Sequence, residues 1–220
     1  MSINDLTIDE LDRDGALREA ADAVDGHTRR GALSKGLLAA GGMAGSTALL
    51  GVFARAASAQ APAQTDIDIL NFALTLEELE AAFYDEAIKT GALSGDTLRF
   101  AQTAGLHEVV HVRTLRSVLT TRAIATPKFD FKGTTSKEST FLDTALVLEE
   151  TGVAAYKGQA PAIVSRDYLG SALAIHSVEA KHAPWVRLLL NTTIIPAPED
   201  APLSRDAVLA AVGKTGFIVG

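Results

Sequence analysis

The chain has 220 residues, with 27 acidic residues against 20 Lys and Arg, a net charge of −7 and no cysteine. The missing cysteines exclude disulfides, thiol nucleophiles, thiolate metal sites and cysteine-held iron–sulfur clusters. No basic patch with interleaved aromatics is present, so nucleic acid is not an expected partner.

Taken in chain order, the first segment reads as a leader. Arg29 and Arg30 precede a mildly hydrophobic stretch, Leu37 to Phe53, that is rich in Gly and Ala and is followed by Ala57-Ser58-Ala59. Paired arginines ahead of such a stretch are the pattern of a twin-arginine export signal, and Ala57 and Ala59 fit the small-x-small cleavage site. Ala32 departs from the pattern, which holds a bulkier residue there. The acidic residues Asp5, Glu10, Asp12 and Asp14 give the leader charge without an apolar face, so it is expected to be disordered.

This reading predicts a leader over residues 1–59, removed by the twin-arginine export machinery. The mature protein is then expected in the periplasm or at the cell surface, with no stable membrane span. The alternative is an uncleaved anchor of about 17 residues, at the lower limit for crossing a bilayer. What remains is one domain by size, with residues 60–65, including Pro62, as a flexible arm.

A first helix is expected from a cap at Asp66 or Asp68. Ile69, Phe72, Leu76, Leu79 and Phe83 repeat at helical spacing, and Gly91 gives a stop. A second helix follows the Ser94-Gly95-Asp96 turn, over about Thr97 to Thr121. A long connection, Arg122 to Ser139, carries Phe129 and Phe131 alternating with charges and is expected to run extended across the other elements. The third helix starts near Ser139 or Thr140 and stops between Gly158 and Pro161. A short helical piece, Ala162 to Arg166, and a cap at Asp167 then introduce the fourth helix, which ends near Asn191. Pro196, Pro198 and Pro202 keep the chain irregular before a short C-terminal helix from Ser204 to Val212. The fold class is therefore all-α: a four-helix bundle over residues 66–192, a long crossover between helices 2 and 3, and a C-terminal extension over 193–220.

The chemistry lies in an internal repeat. The stretch from Ala73 to Tyr84, containing Leu76-Glu77-Glu78, reappears from Ala145 to Tyr156, containing Leu148-Glu149-Glu150. Each copy is followed about thirty residues later by Glu-x-x-His: Glu108 with His111, then Glu179 with His182. Residues three apart share one helical face, so each pair reaches a single point on the bundle axis. Two lone glutamates and two such pairs form the ligand set of a carboxylate-bridged di-metal site. Iron, manganese and zinc all suit oxygen and imidazole donors.

The helical wheel selects Glu77 and Glu149 as ligands and leaves Glu78 and Glu150 solvated. Glu80 also points inward, but its repeat partner is Gly152, which makes it a candidate extra, asymmetric ligand. Tyr84 and Tyr156, two turns after Glu77 and Glu149, are placed to hydrogen-bond ligand carboxylates. His107 and His176 have no repeat partners and are expected to be packed or surface residues. Arg116 and Arg187 correspond in the repeat; they are placed to hold acidic groups at the bundle end, but are expected to be solvated charges.

These motifs carry a resemblance. Leu70 to Tyr84, Thr144 to Tyr156 and Ser177 to Ala183 resemble the ferritin-like domain family that includes the plant desiccation-related proteins. The similarity extends from about Asp66 to Leu190. It implies a di-iron or di-manganese centre with Glu77, Glu108, His111, Glu149, Glu179 and His182 as ligands. Pro184, two residues after His182, departs from the expected pattern and is expected to kink the fourth helix beside the site.

Two functions follow as expectations. One is redox chemistry on oxygen, peroxide or ferrous iron, as a ferroxidase or a peroxide-consuming oxidoreductase active in oxidative stress. The other is a non-catalytic envelope protein of stress or desiccation protection. A closed iron-storage shell finds no support in the sequence, and a homodimer is left open.

Overall fold

The computed structural model describes residues 63–219. The leader, the signal residues Arg29, Arg30, Ala57 and Ala59, and residues 60–62 of the arm lie outside the described residues, while Gln64 and Thr65 of the expected arm already belong to the first helix.

Among the described residues, five α-helices make up the architecture: α1 (Gln64–Thr90), α2 (Gly95–Leu119), α3 (Glu138–Gln159), α4 (Arg166–Leu189) and α5 (Arg205–Thr215). Helix α1 packs along α2, and α3 along α4, giving two hairpins joined by the 120–137 crossover. Among the described residues no helix is long and apolar enough to cross a membrane.

Helix ends follow local chemistry. Gly91 stops α1 in the left-handed region at φ 70°, where a Cβ is disfavoured. Ser204 caps α5 by accepting the Ala207 N–H. At α4 the cap is Ser165, which accepts from Tyr168, and not Asp167 as expected; Asp167 sits in the first turn, where its charge meets the helix dipole. The helical piece expected over 162–166 is instead a 3-10 turn at Ala160–Ala162. Asp66 does not cap its own helix. It is 1% exposed and accepts from the Val164 and Ser165 N–H groups at 2.8 and 3.1 Å, tying the start of α1 to the entry of α4.

Two apolar clusters fill the bundle. One holds Leu79, Phe83, Tyr84, Phe100, Phe141 and Leu148. The other holds Leu70, Leu74, Leu115, Leu119, Tyr156 and Tyr168. Each such large side chain contributes about 1.5–3 kcal/mol by leaving water.

The crossover has 3-10 turns at Thr120–Arg122 and Thr134–Ser136 and no regular structure between them, and it gains a partner from the C-terminal tail. Phe129 forms an antiparallel bridge with Ile218, Asp130 N–H donates to Phe217 O, and Val219 N–H donates to Lys128 O. Phe131 and Phe217 are thereby buried in the first cluster. The extension also clamps α3: a Cβ at Gly158 would stand 1.9 Å from the Leu203 carbonyl oxygen, and Leu203 N–H donates to Ala154 O.

Candidate metal centre

Glu77, Glu80, Glu108, Glu149 and Glu179 are 0–3% exposed, as are His111 and His182. All four long helices contribute: Glu77 and Glu80 from α1, Glu108 and His111 from α2, Glu149 from α3, and Glu179 and His182 from α4. The repeat spacing brings them together because each pair occupies one inward face of its helix.

Around His111 Nδ1 stand Glu108 Oε2 at 3.0 Å, Glu77 Oε2 at 3.1 Å and Glu179 Oε1 at 3.2 Å. Around His182 Nδ1 stand Glu149 Oε2 at 3.2 Å, Glu108 Oε1 at 3.3 Å and Glu179 Oε2 at 3.7 Å. Glu108 and Glu179 thus present one oxygen to each imidazole, while Glu77 and Glu149 each serve one side. Such a layout would suit two carboxylates shared between metal ions and two terminal ones.

A single N–H cannot serve three oxygens. Glu80 Oε1, Glu108 Oε1 and both oxygens of Glu179 accept no directed hydrogen bond, although all are buried. Unsatisfied buried acceptors cost free energy. Converging carboxylates and imidazoles of this kind are the donor set that hard and borderline divalent cations take. The groups Glu77–Glu108–His111–Glu179 and Glu108–Glu149–His182 are each compact enough to hold an ion. The residues present therefore fit bound metal ions.

The tyrosines tie the halves together crosswise. Tyr84 donates to Glu149 Oε1, and Tyr156 donates to Glu77 Oε1, so each repeat copy holds the terminal carboxylate of the other. Glu80 enters from one side only. Its oxygens lie in the space left by Gly152, where a Cβ would touch Glu80 Oε1 and Glu179 Oε2, both at 3.6 Å. Glu80, Glu149 and Glu179 form a third compact group.

Electrostatics divide the carboxylates into two sets. Burial pushes Glu77 and Glu80 well above the usual carboxylate range; His111 partly opposes the shift at Glu77, and the neighbouring glutamates add to it at both. Burial likewise lifts Glu149 to about 8 against the pull of His182. Burial would raise Glu108 and Glu179 too, but both imidazoles outweigh it and hold them low. Conversely His111 and His182 are raised, because the carboxylates around them overcome burial.

This arrangement sets the pH response of the metal-free protein. Glu149 keeps its proton up to about 8 when folded but loses it near 4.3 when unfolded. Its contribution is fully present below the unfolded value and is lost as pH rises through the folded one; the raised histidines act with the same sign above their unfolded value. The expected outcome is a melting temperature of chelator-stripped protein that falls from pH 5 to pH 8.5. Metal-loaded protein should reverse the trend, since ions replace protons. Differential scanning calorimetry across that range decides, and a rising melting temperature without metal would contradict the assignment.

Several expectations need correction. Glu78 is not solvated: it is buried, receives Arg116 Nε at 2.6 Å and accepts from Thr126. Arg116 also donates to Ile124 O and Thr126, so this pair fastens the crossover to α1 and α2. Glu150 is exposed as expected, but Arg187 pairs with it, repeating the Arg116–Glu78 arrangement. Helix α4 continues through Pro184 to Leu189, and His182 still reaches the cluster.

His107 lies against the site, with its Nδ1 2.8 Å from His182 Nε2. Burial, then the neighbouring His182 charge, lowers its pKa to about 4. The signal for His107 was its position four residues before His111, on the same turn-related face. His176 stays outside the three groups.

A family model described as ferritin-like domain matches residues 65–192. Among curated proteins no match is found.

Proposed function

The chain belongs to the ferritin-like domain family, and from that premise we propose that it is an exported protein holding two iron or manganese ions for redox chemistry on oxygen, peroxide or ferrous iron. The observation that carries the reading is the shared placement of Glu108 and Glu179, one oxygen of each beside either imidazole. A bound pair of such ions supplies one-electron steps and a Lewis-acidic place for a small oxygen species.

The chain's own residues would do the rest. Glu108 and Glu179 would span the two ions, and Glu77 with His111 and Glu149 with His182 would close the ends. Tyr84 and Tyr156 donate to the terminal carboxylates and fix their orientation. Glu80 is the fifth carboxylate, one negative charge beyond what two divalent ions neutralise. Its Oε1 accepts no hydrogen bond, and burial favours its protonated form. With ions bound it would offer an oxygen to them or hold a proton beside them.

An apolar cavity of about 20 Å³ lies beside Tyr156, lined by Phe72, Leu76, Ala155 and Ile163. It is about the space of one water-sized molecule, and its lining suits dioxygen better than a charged substrate.

Export through the twin-arginine route rests on Arg29, Arg30 and the Ala57–Ala59 segment. A folding-compatible route suits a protein that takes up its ions before leaving the cytoplasm. A second reading is a stress- or desiccation-protection protein of the envelope, in which the ions only hold the bundle. The burial of every candidate ligand favours it, because a sealed centre needs no substrate.

One preparation tests these readings. Mass spectrometry of protein secreted by its native host should find two iron or manganese ions per chain and a mature start at Gln60. Oxygen and peroxide consumption are then measured with ferrous iron as reductant. Two bound ions with no consumption would select the protective reading, and no stoichiometric metal would remove the redox proposal.

A further inference from the structure

His107 has no counterpart in the repeat, yet it meets the site in a specific way. Its Nδ1 is 2.8 Å from His182 Nε2, and the two ring planes are within 9° of parallel with centroids 5.1 Å apart. That centroid distance is what a 2.8 Å N···N contact plus the radius of each ring gives when both rings lie in one plane and in line. The contact is therefore an edge-to-edge hydrogen bond and not a face-to-face stack. Phe100 packs across the His182 ring at 6.4 Å and 81°, and Trp185 packs on Phe100 at 5.4 Å. The imidazole of His182 is thus held both along its plane and from the side.

The direction of the bond follows from the other nitrogen. His182 Nδ1 faces Glu149, Glu108 and Glu179. A neutral imidazole carries one N–H and one lone pair. To offer its Nδ1 lone pair to an ion among those carboxylates, His182 must carry its proton on Nε2. His107 Nδ1 is the acceptor in line with that N–H.

We propose that His107 is a positioning residue for the metal centre: by accepting the Nε2–H of His182 it selects the tautomer whose Nδ1 lone pair points among Glu108, Glu149 and Glu179. This rests on the metal-binding reading above and adds to it an asymmetry, because only the second repeat copy carries the device. The ion on the His182 side is the one that depends on His107.

Ligand histidines commonly give their second N–H to a carboxylate or a carbonyl, and removing that partner costs about 10–100-fold in metal affinity. A neutral imidazole in that role pulls less on the proton than a carboxylate does. His182 then stays a neutral ligand instead of gaining imidazolate character.

The test uses the full chain stripped with chelator and titrated with zinc(II), a diamagnetic probe, by calorimetry. Wild type should bind two ions. His107→Leu, which cannot accept the proton, should keep one ion at wild-type affinity and bind the other about 10–100-fold more weakly. His107→Gln, whose amide oxygen can accept, should stay close to wild type. Nitrogen-15 NMR of zinc-loaded wild type should place the His182 proton on Nε2, and this readout stands even if a variant does not fold.

Two zinc ions bound equally by wild type and His107→Leu, or a His182 proton found on Nδ1, would overturn the role of His107 alone. Failure of wild type to bind zinc would overturn the metal reading, and the inference with it.

Discussion

Replacing Glu108 and Glu179 together by glutamine is expected to take the protein from two ions per chain to none. Each of these carboxylates places one oxygen beside His111 and the other beside His182, so the double change removes two of these four oxygens and both negative charges that the ion positions share. Glutamine keeps the volume and one carbonyl oxygen, which separates loss of charge from loss of packing. Helix content by circular dichroism should be unchanged in the metal-free variant. The ligand-dependent rise in melting temperature should vanish. For wild type that rise corresponds to about 2.7 kcal/mol per ion at a hundredfold excess over the dissociation constant. Plasma mass spectrometry after gel filtration reads the stoichiometry, and two ions retained by the double variant would refute the bridging assignment.

Phe83→Ala should be the most damaging single change in the core. Phe83 is fully buried and stacks on Phe141 at 5.3 Å, with Phe131 edge-on at 5.4 Å. It therefore joins α1, the crossover and α3 at one point, one residue before the tyrosine that holds Glu149. Truncating such a phenylalanine removes its transfer free energy and leaves a cavity, at a cost of about 3–5 kcal/mol. That is a large share of the roughly 5–15 kcal/mol by which domains are stable, and the melting temperature should fall by on the order of 10 °C. Urea denaturation of metal-free wild type, Phe83→Ala and Phe83→Leu gives the comparison. A loss below about 1 kcal/mol for the alanine variant would mean this junction is loosely packed.

The repeat made much of the site legible. Glu77 and Glu149 are separated from Glu78 and Glu150 by helical direction alone, and the structure places the first pair, with Glu108, His111, Glu179 and His182, in one buried cluster. The failures share one cause. A helical wheel reports the faces of a single helix and not what covers them. Glu78 faces away from the site, but Thr126 of the crossover and the Arg116 guanidinium of α2 cover it. Asp66 looked like a local cap, while its partners at Val164 and Ser165 lie in another hairpin. His107 gave no repeat signal because its role exists in one half only.

The burial of five glutamates at one centre also changes what the outside of the molecule looks like. Residues 63–219 hold nineteen acidic and fourteen basic side chains. Five of the nineteen are Glu77, Glu80, Glu108, Glu149 and Glu179, and Asp66 and Glu78 are buried as well, so twelve acidic and fourteen basic side chains remain outside. The excess of acid in the domain is therefore internal. An approaching molecule meets a nearly balanced body, with little net charge to draw cations in or turn anions away. Traffic to such a protein is sorted at short range, by the shape and lining of the path to the centre, and should respond only weakly to salt.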